Sequence, residues 1–176
     1  MTFLLTILLS IAGFIALLLV IALFKKKDHY AKRDIIINAS AQKVFDYIKL
    51  LKNQDEFNND AMTDANRKRE FIGTDGTVGY IYSWSGDKSA GVGEKEIMKI
   101  IEGKRIETEI RFTKPMQATA TIVMETETIS DNQTKVSWSN SGKLNYPINL
   151  LIPMMEKGVA KGMDASLLNL KTILEK

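Results

Sequence analysis

A long uncharged segment at the start of the chain limits where the protein can reside. No Asp, Glu, Lys or Arg occurs from Thr2 to Phe24, a run of 23 residues dominated by Leu, Ile, Val, Phe and Ala. As an α-helix this run would be about 34 Å long, at ~1.5 Å per residue. The hydrocarbon core of a bilayer is about 30 Å thick. The segment therefore predicts one transmembrane anchor at residues 1–24.

A cleaved signal peptide and a buried core helix are the other two interpretations of this segment. A cleaved signal peptide has a basic start, a shorter apolar core and a small-residue cleavage site. This chain has no Lys or Arg before the run and no convincing cleavage site after Phe24. A buried core helix normally carries polar residues along one face, and the run shows no such face. Both comparisons favour the anchor.

The basic charge of the chain is concentrated directly after the anchor, at residues 25–33. This flank contains Lys25, Lys26, Lys27, Lys32 and Arg33. Because basic residues favour the cytoplasmic side of a membrane, the flank predicts a cell-membrane protein whose soluble part faces the cytoplasm. With Asp28 counted the flank carries +4, and the whole chain carries +3, which leaves −1 for residues 34–176. A nearly neutral domain does not indicate a nucleic-acid partner.

Several chemistries are excluded by residue counts. The chain has no cysteine, which rules out disulfides, thiol nucleophiles and cysteine-ligated metals. Its one histidine, His29, lies in the basic flank, so a Ser-His-Asp triad or a multi-histidine metal site within the domain is not expected. We therefore predict no metal and no cofactor.

The pattern of residues 34–176 predicts one α+β domain. A short β-branched strand at 34–38 precedes a helix that Ser40 would cap, and a polar loop follows at 53–64. Alternating polar and apolar residues with turn signals then predict six strands, at 67–72, 80–84, 92–101, 106–112, 118–128 and 134–144. The segment after Pro147 predicts a long C-terminal helix. Its apolar stripe consists of Met155, Val159, Met163, Leu167, Leu170 and Leu174.

Four features of this domain together resemble a known superfamily. They are the stretch 36–45 (IINASAQKVF), the stretch 91–97 (GVGEKEI), Trp138 in the last strand, and the helix ending at 167–171 (LLNLK). This ordered set resembles the SRPBCC, or START/Bet v 1-like, superfamily, and within it the bacterial polyketide cyclase/dehydrase and lipid transport proteins. The resemblance covers roughly residues 32–176, and no single motif in it is highly specific.

The resemblance implies a helix-grip fold, in which a curved antiparallel sheet wraps around the long C-terminal helix. It also implies a cavity between sheet and helix that takes a hydrophobic or amphipathic small molecule, such as a lipid, sterol or polyketide. A minority of such proteins are cyclases, aromatases or hydrolases. The superfamily has no shared catalytic motif, so no catalytic residue is assigned here.

The predicted inner face of the sheet and helix is rich in aromatic and methionine side chains. Such side chains suit an adaptable apolar cavity, and the tips of Tyr and Trp can orient a ligand. They equally suit an ordinary packed core, which a domain of this size requires. The candidate cavity residues are Tyr80, Tyr82, Trp84, Phe112, Met124, Trp138, Met155, Val159 and Met163.

The orientation of Glu94 and Glu96 bears on catalysis. Turned inward, the two carboxylates would act as an acid–base pair in the cavity. We favour the solvent-facing orientation, because Ile97 and Ile101 compete for the interior.

The sequence thus predicts a membrane-anchored, non-enzymatic binding protein for a hydrophobic small molecule or lipid. Two alternatives stay open. One is a cyclase- or hydrolase-type enzyme acting on a lipophilic, polyketide-like substrate, and the other is a protein-interaction module.

Overall fold

The computed structural model describes residues 2–64, 67–86 and 91–176, and it has the predicted α+β helix-grip architecture. One antiparallel sheet of seven strands has the order β1-β7-β6-β5-β4-β3-β2. The strands are β1 (Asp28–Ile37), β2 (Lys68–Ile72), β3 (Ile81–Ser85), β4 (Val92–Ile101), β5 (Arg105–Lys114), β6 (Ala118–Ser130) and β7 (Gln133–Lys143). The helices are α1 (Thr2–Phe24), α2 (Ala41–Lys49), α3 (Gln54–Phe57), α4 (Asn59–Met62) and α5 (Ile152–Leu174), with a 3₁₀ helix at Ile148–Leu151.

The main core lies between the inner face of the sheet and helices α2 and α5. Ser40 caps α2, as predicted, by accepting a hydrogen bond from the backbone N–H of Lys43. The predicted stripe of α5 faces the sheet, and Leu167 and Leu170 are fully buried there. Burying a side chain of this size stabilises the fold by about 1.5–3 kcal/mol.

Strand β1 begins at Asp28, six residues earlier than the strand predicted at 34–38. It pairs with β7 along its whole length, from Asp28 opposite Lys143 to Ile37 opposite Thr134. The early half was missed because its charged residues obscure the alternation. His29 and Ala31 point inward and are buried, whereas Lys32 points outward. Most of the basic flank is therefore part of the sheet.

The polar segment 53–64, predicted as a loop, forms two helical turns instead. Helix α3 buries Gln54 and Phe57, and Phe57 stacks edge-on against Trp138 with ring centroids 6.2 Å apart. The carboxylate of Asp75 holds the chain that leads into α3, because it accepts hydrogen bonds from the backbone N–H groups of Leu51 and Lys52. Long-range contacts of this kind leave no periodic signal in the sequence.

Helix α1 extends away from this core. Its apolar part, Phe3–Phe24, has a mean hydropathy of 3.0 and the length needed to cross a membrane. Only 6% of its most apolar window is buried against the rest of the protein. Its last turn is the exception, since Ala22 is completely buried beside the 3₁₀ helix.

Candidate ligand-binding cavity

Two adjoining cavities lie on the inner side of the sheet. The first, here the α3–α4 cavity, has a volume of about 220 Å³ and lies between α3, α4 and strands β3 to β5. The second, the α5 cavity, has a volume of about 200 Å³ and lies between the N-terminal half of α5 and strands β5 to β7. Both are lined by Asn58, Lys95, Ile110 and Phe112. Each is smaller than the ~300–1,000 Å³ typical of ligand pockets, but the two reach that range when joined.

The predicted site residues divide into three groups. Tyr82 and Trp84 line the α3–α4 cavity, and Phe112 lines both cavities. Tyr80 and Met124 are 1% and 2% exposed and belong to the packed core. They are not among the described lining residues of either cavity. The α5 cavity is lined by the remaining four, Trp138, Met155, Val159 and Met163.

The α5 cavity combines an apolar lining with two unpaired polar atoms. Nε1 of Trp138 and Oδ1 of Asn140 are buried and have no hydrogen-bond partner among the described residues. Both residues lie on β7, two positions apart, so their side chains share the inner face. A buried polar atom left unpaired costs about 1–3 kcal/mol. Both residues line the α5 cavity, so this donor and this acceptor lie beside the space that a bound molecule would fill.

His29 also lines the α5 cavity, although the sequence placed it outside the domain. Its position follows from the early start of β1, where it occupies an inward-facing site. Burial lowers the pKa of its imidazole below the ordinary value, an effect that the carboxylate of Glu156 partly opposes. The imidazole is thus neutral at pH 7 and offers one donor and one acceptor.

Lys95 lies where the two cavities meet, and sequence reasoning missed it. Its side chain is 8% exposed, and Nζ donates a 2.8 Å hydrogen bond to Oε1 of Gln54. In β4, Gly93, Lys95 and Ile97 point inward and are buried. The signal was present in the sequence, because Ile97 as an interior residue requires Lys95 to share its face.

A charged cluster contributes to the lining of the α3–α4 cavity. The hydroxyl of Tyr82 donates to the carboxylate of Asp55 at 2.8 Å, and that carboxylate also pairs with Arg67 and, at 2.9 Å, with Arg69. Burial, reinforced by the hydrogen bond to Asp55, raises the pKa of Tyr82 to about 12. The phenol is therefore neutral at pH 7, where it acts as a hydrogen-bond donor.

Glu94 and Glu96 point to the outer face of the sheet, which is the solvent-facing orientation favoured from the sequence. Arg111 binds both, with N–O distances of 2.7 Å to Glu94 and 2.6 Å to Glu96. Ile101, expected in the interior, nevertheless lies on the surface. A bulge between Ile97 and Lys99 reverses the alternation, so that Ile101 is 42% exposed. The two glutamates supply no acid–base pair to the cavities.

Solved structures with low sequence identity share this fold. The norcoclaurine synthase of Thalictrum flavum superposes with a TM-score of 0.65 at 12% identity, covering 85% of this chain and 95% of that one. The protein CV1439 of Chromobacterium violaceum gives a TM-score of 0.61 at 14% identity, over 84% of this chain and 98% of that one. The Aha1 dimer of Colwellia psychrerythraea gives a TM-score of 0.58 at 19% identity, over 83% of this chain and 96% of that one.

One of these neighbours has also been solved with small molecules bound. Another structure of the norcoclaurine synthase contains dopamine and hydroxybenzaldehyde, so that protein holds small aromatic molecules. No protein-family model and no curated protein matches this chain. At these identities the likeness concerns the fold alone. The chain has the Bet v 1-like, SRPBCC-type fold, with an apolar N-terminal helix in front of it.

Proposed function

We propose that this protein is a membrane-anchored binding protein for a hydrophobic small molecule or lipid. The observation that carries the proposal is the α5 cavity, whose mainly apolar lining includes Trp138 and Asn140, each with an unpaired polar atom. A well-packed core would not leave such a space. The Bet v 1-like fold, which holds small molecules in the norcoclaurine synthase, supports the same conclusion.

The polar atoms restrict the class of ligand. Trp138 offers a donor, Asn140 an acceptor, and the neutral imidazole of His29 one of each. A hydroxyl group satisfies a donor and an acceptor at once. The ammonium group of Lys95, which lines both cavities, attracts an acidic group. The proposed ligand is therefore amphipathic, with an apolar body and a hydroxyl or acidic group.

Helix α1 supports the membrane anchor in this proposal. Its length and hydropathy match one bilayer crossing, and Lys25, Lys26 and Lys27 follow it directly. The positive-inside bias favours the cytoplasmic side for the domain. An anchored domain would hold its cavity close to the membrane, where lipophilic molecules concentrate.

Native mass spectrometry of the full chain tests ligand binding. The protein is purified in detergent, delipidated and exposed to a total lipid extract, and bound molecules are then identified by mass. We expect one class of amphipathic molecule to be retained at equal stoichiometry with the protein. Val159→Trp should abolish retention because it fills the α5 cavity. Val78→Trp, at a site 61% exposed, is the matched control. Retention of nothing by the wild type would reject the proposal.

One observation favours a second candidate, catalysis on a lipophilic substrate. The hydroxyl of Tyr82 lies against the α3–α4 cavity between Asp55 and Arg67, an arrangement that holds a neutral proton donor beside a carboxylate. If this cluster is catalytic, incubating the protein with the lipid extract should convert one component, and Tyr82→Phe should stop the conversion. Release of the retained molecule unchanged would leave binding as the function.

A further inference from the structure

An uncharged apolar segment runs from the end of β7 into the first turn of α5 and lies next to the end of α1. Residues 144–155 (LNYPINLLIPMM) contain no charged side chain. Within this segment Tyr146, Leu151 and Met154 are 42%, 49% and 69% exposed. Large apolar side chains that lie together on a surface usually mark an interaction site.

The segment is fixed to α1 by a buried asparagine. Asn149 is 1% exposed, and its Nδ2 donates hydrogen bonds to the carbonyl oxygens of Ala22, at 2.8 Å, and Lys25, at 3.1 Å. The last carbonyl groups of a helix lack partners within the helix, and Asn149 supplies them. The segment and the last turn of α1 therefore form one packed unit.

An ion pair fixes the start of α5 to the same place. Nζ of Lys26 lies 2.8 Å from Oε1 of Glu156, which also accepts a 3.0 Å hydrogen bond from the backbone N–H of Tyr30. The first turn of α5 is thus attached to the residues that follow α1. The orientation of the domain relative to α1 is set by these contacts rather than by a flexible linker.

This arrangement determines the depth of the segment if α1 spans a bilayer. Ala22 precedes Phe24 by two residues, or about 3 Å along the helix axis. The segment packs on Ala22, so it lies at the level where the apolar run ends and the lysines begin. At that level the hydrocarbon core meets the lipid headgroups, the region that Tyr and other amphipathic side chains prefer.

The same segment borders the α5 cavity. Leu144 and Met155, its two end residues, line that cavity, together with Lys143 just before it. This end of the cavity therefore lies beside the exposed apolar side chains.

We propose that residues 144–155 insert into the interfacial layer of the membrane that α1 spans and bring the mouth of the α5 cavity to the lipid. This inference rests on the proposed membrane anchor. The occupant of the apolar surface is the bilayer itself, because the surface is continuous with the membrane-spanning helix through Ala22 and Asn149. A lipophilic ligand then reaches the cavity without crossing water.

Depth measurement in single-copy nanodiscs tests the insertion. The chain has no cysteine, so single cysteines carrying an environment-sensitive fluorophore can be placed at Leu151 and Met154. The control is Leu168, which is 60% exposed and lies about 21 Å further along α5 than Met154. Phe14, in the middle of α1, reports whether the helix spans the bilayer. Phosphatidylcholine with a nitroxide on its acyl chain serves as the lipid-borne quencher, and iodide as the aqueous one.

Labels at Leu151 and Met154 should be quenched by the nitroxide at least threefold more than the label at Leu168, and should be protected from iodide. If they are as accessible to iodide as Leu168 while Phe14 is quenched by the nitroxide, the insertion is wrong and the anchor stands. If Phe14 is not quenched by the nitroxide, the anchor fails and the insertion with it. Protection seen only in crowded vesicles, and lost in single-copy nanodiscs, would assign the surface to a second copy of the chain and overturn the inference.

Discussion

Lys95 and Gln54 meet at the boundary between the two cavities, where Nζ of the lysine donates a 2.8 Å hydrogen bond to Oε1 of the glutamine. Both side chains are buried, at 8% and 6% exposure. Burying an ammonium group is costly even when it is hydrogen-bonded. We propose that this ammonium group, which lines both cavities, binds an acidic group of a ligand.

Replacing Lys95 by methionine should separate binding from stability. Lys95→Met keeps the apolar stem of the side chain, and the loss of its hydrogen bond to Oε1 of Gln54 is offset in part by the removal of a buried charge. We expect the melting temperature to change little and the retention of acidic lipids in native mass spectrometry to fall about tenfold, or ~1.4 kcal/mol. Lys99→Met, an exposed site on the same strand, is the control. Unchanged retention in Lys95→Met would exclude an acidic ligand.

Gly93 allows β4 to pass close to its neighbours. A Cβ at this position would lie 2.7 Å from the carbonyl oxygen of Arg111 and 2.7 Å from Cζ2 of Trp84. Gly93→Ala should therefore destabilise the protein by about 1–3 kcal/mol and change the fluorescence of the Trp84 ring, which lines the α3–α4 cavity. Chemical denaturation measures the first effect.

The control for Gly93 is a glycine with space around it. A Cβ on Gly158, in the interior of α5, meets nothing within 4 Å. Gly158→Ala should stabilise the protein by about 0.5–1 kcal/mol, because alanine favours the helix. Equal effects of the two substitutions would show that close packing at Gly93 is unimportant.

The strands that could be predicted from the sequence are those with one apolar face and one polar face. In β5, Ile106 and Thr108 are buried while Glu107 and Glu109 face outward, as the alternation indicates. A one-residue slip would expose the whole apolar set, so such a pattern fixes the register. The stripe of α5 was predictable for the same reason, since its period matches the helix.

Other features left no such signal. The first half of β1 was hidden by charges that belong to its outer face. The contact between Asp55 and Tyr82 joins residues 27 positions apart, and neither one indicates the other in the sequence. The bulge at Met98 was also invisible, because it depends on the pairing of β4 with β5 rather than on local residues.

Arg111 holds three carboxylates together on the outer face of the sheet. Its nitrogens lie within 2.7 Å of oxygens of Glu94, Glu96 and Glu109, and these contacts raise the pKa of the guanidinium above its ordinary value. Arg111→Met would leave the three negative charges facing one another. Because the cluster is partly exposed, we expect a loss of only about 1–2 kcal/mol at low salt, and a smaller loss in high salt.

Urea denaturation at two salt concentrations measures this effect. Arg33→Met is the matched control, since Arg33 pairs with the single carboxylate of Asp164 at 3.1 Å and both side chains are more than 40% exposed. We expect this substitution to cost less than about 1 kcal/mol. A salt-independent loss at Arg111 would mean that packing of its aliphatic stem, rather than charge, is responsible.

Tyr80 and Tyr82 should make the protein sensitive to alkali. Burial raises the pKa of each phenol to about 12 from the ordinary 10.0, and in Tyr82 the hydrogen bond to Asp55 adds to the effect. The folded state therefore holds these protons more tightly than the unfolded state. Their contribution to stability is complete below pH 10 and is lost as the pH rises from about 10 to about 12.

Tyr82→Phe removes the contribution of one of these phenols to stability. The variant keeps Tyr80 and Tyr47, whose phenol pKa values burial also raises, so the fall in the free energy of unfolding between pH 10 and pH 12 should be reduced by about a third of the tyrosine contribution. At pH 7 it should lose about 1.5–3 kcal/mol, because Asp55 loses a hydrogen bond. Tyr30→Phe, at a site 59% exposed, controls for the removal of one phenol. Urea denaturation of the full chain in detergent at pH 7 to pH 12 gives the comparison, and parallel alkaline profiles for wild type and Tyr82→Phe would contradict it.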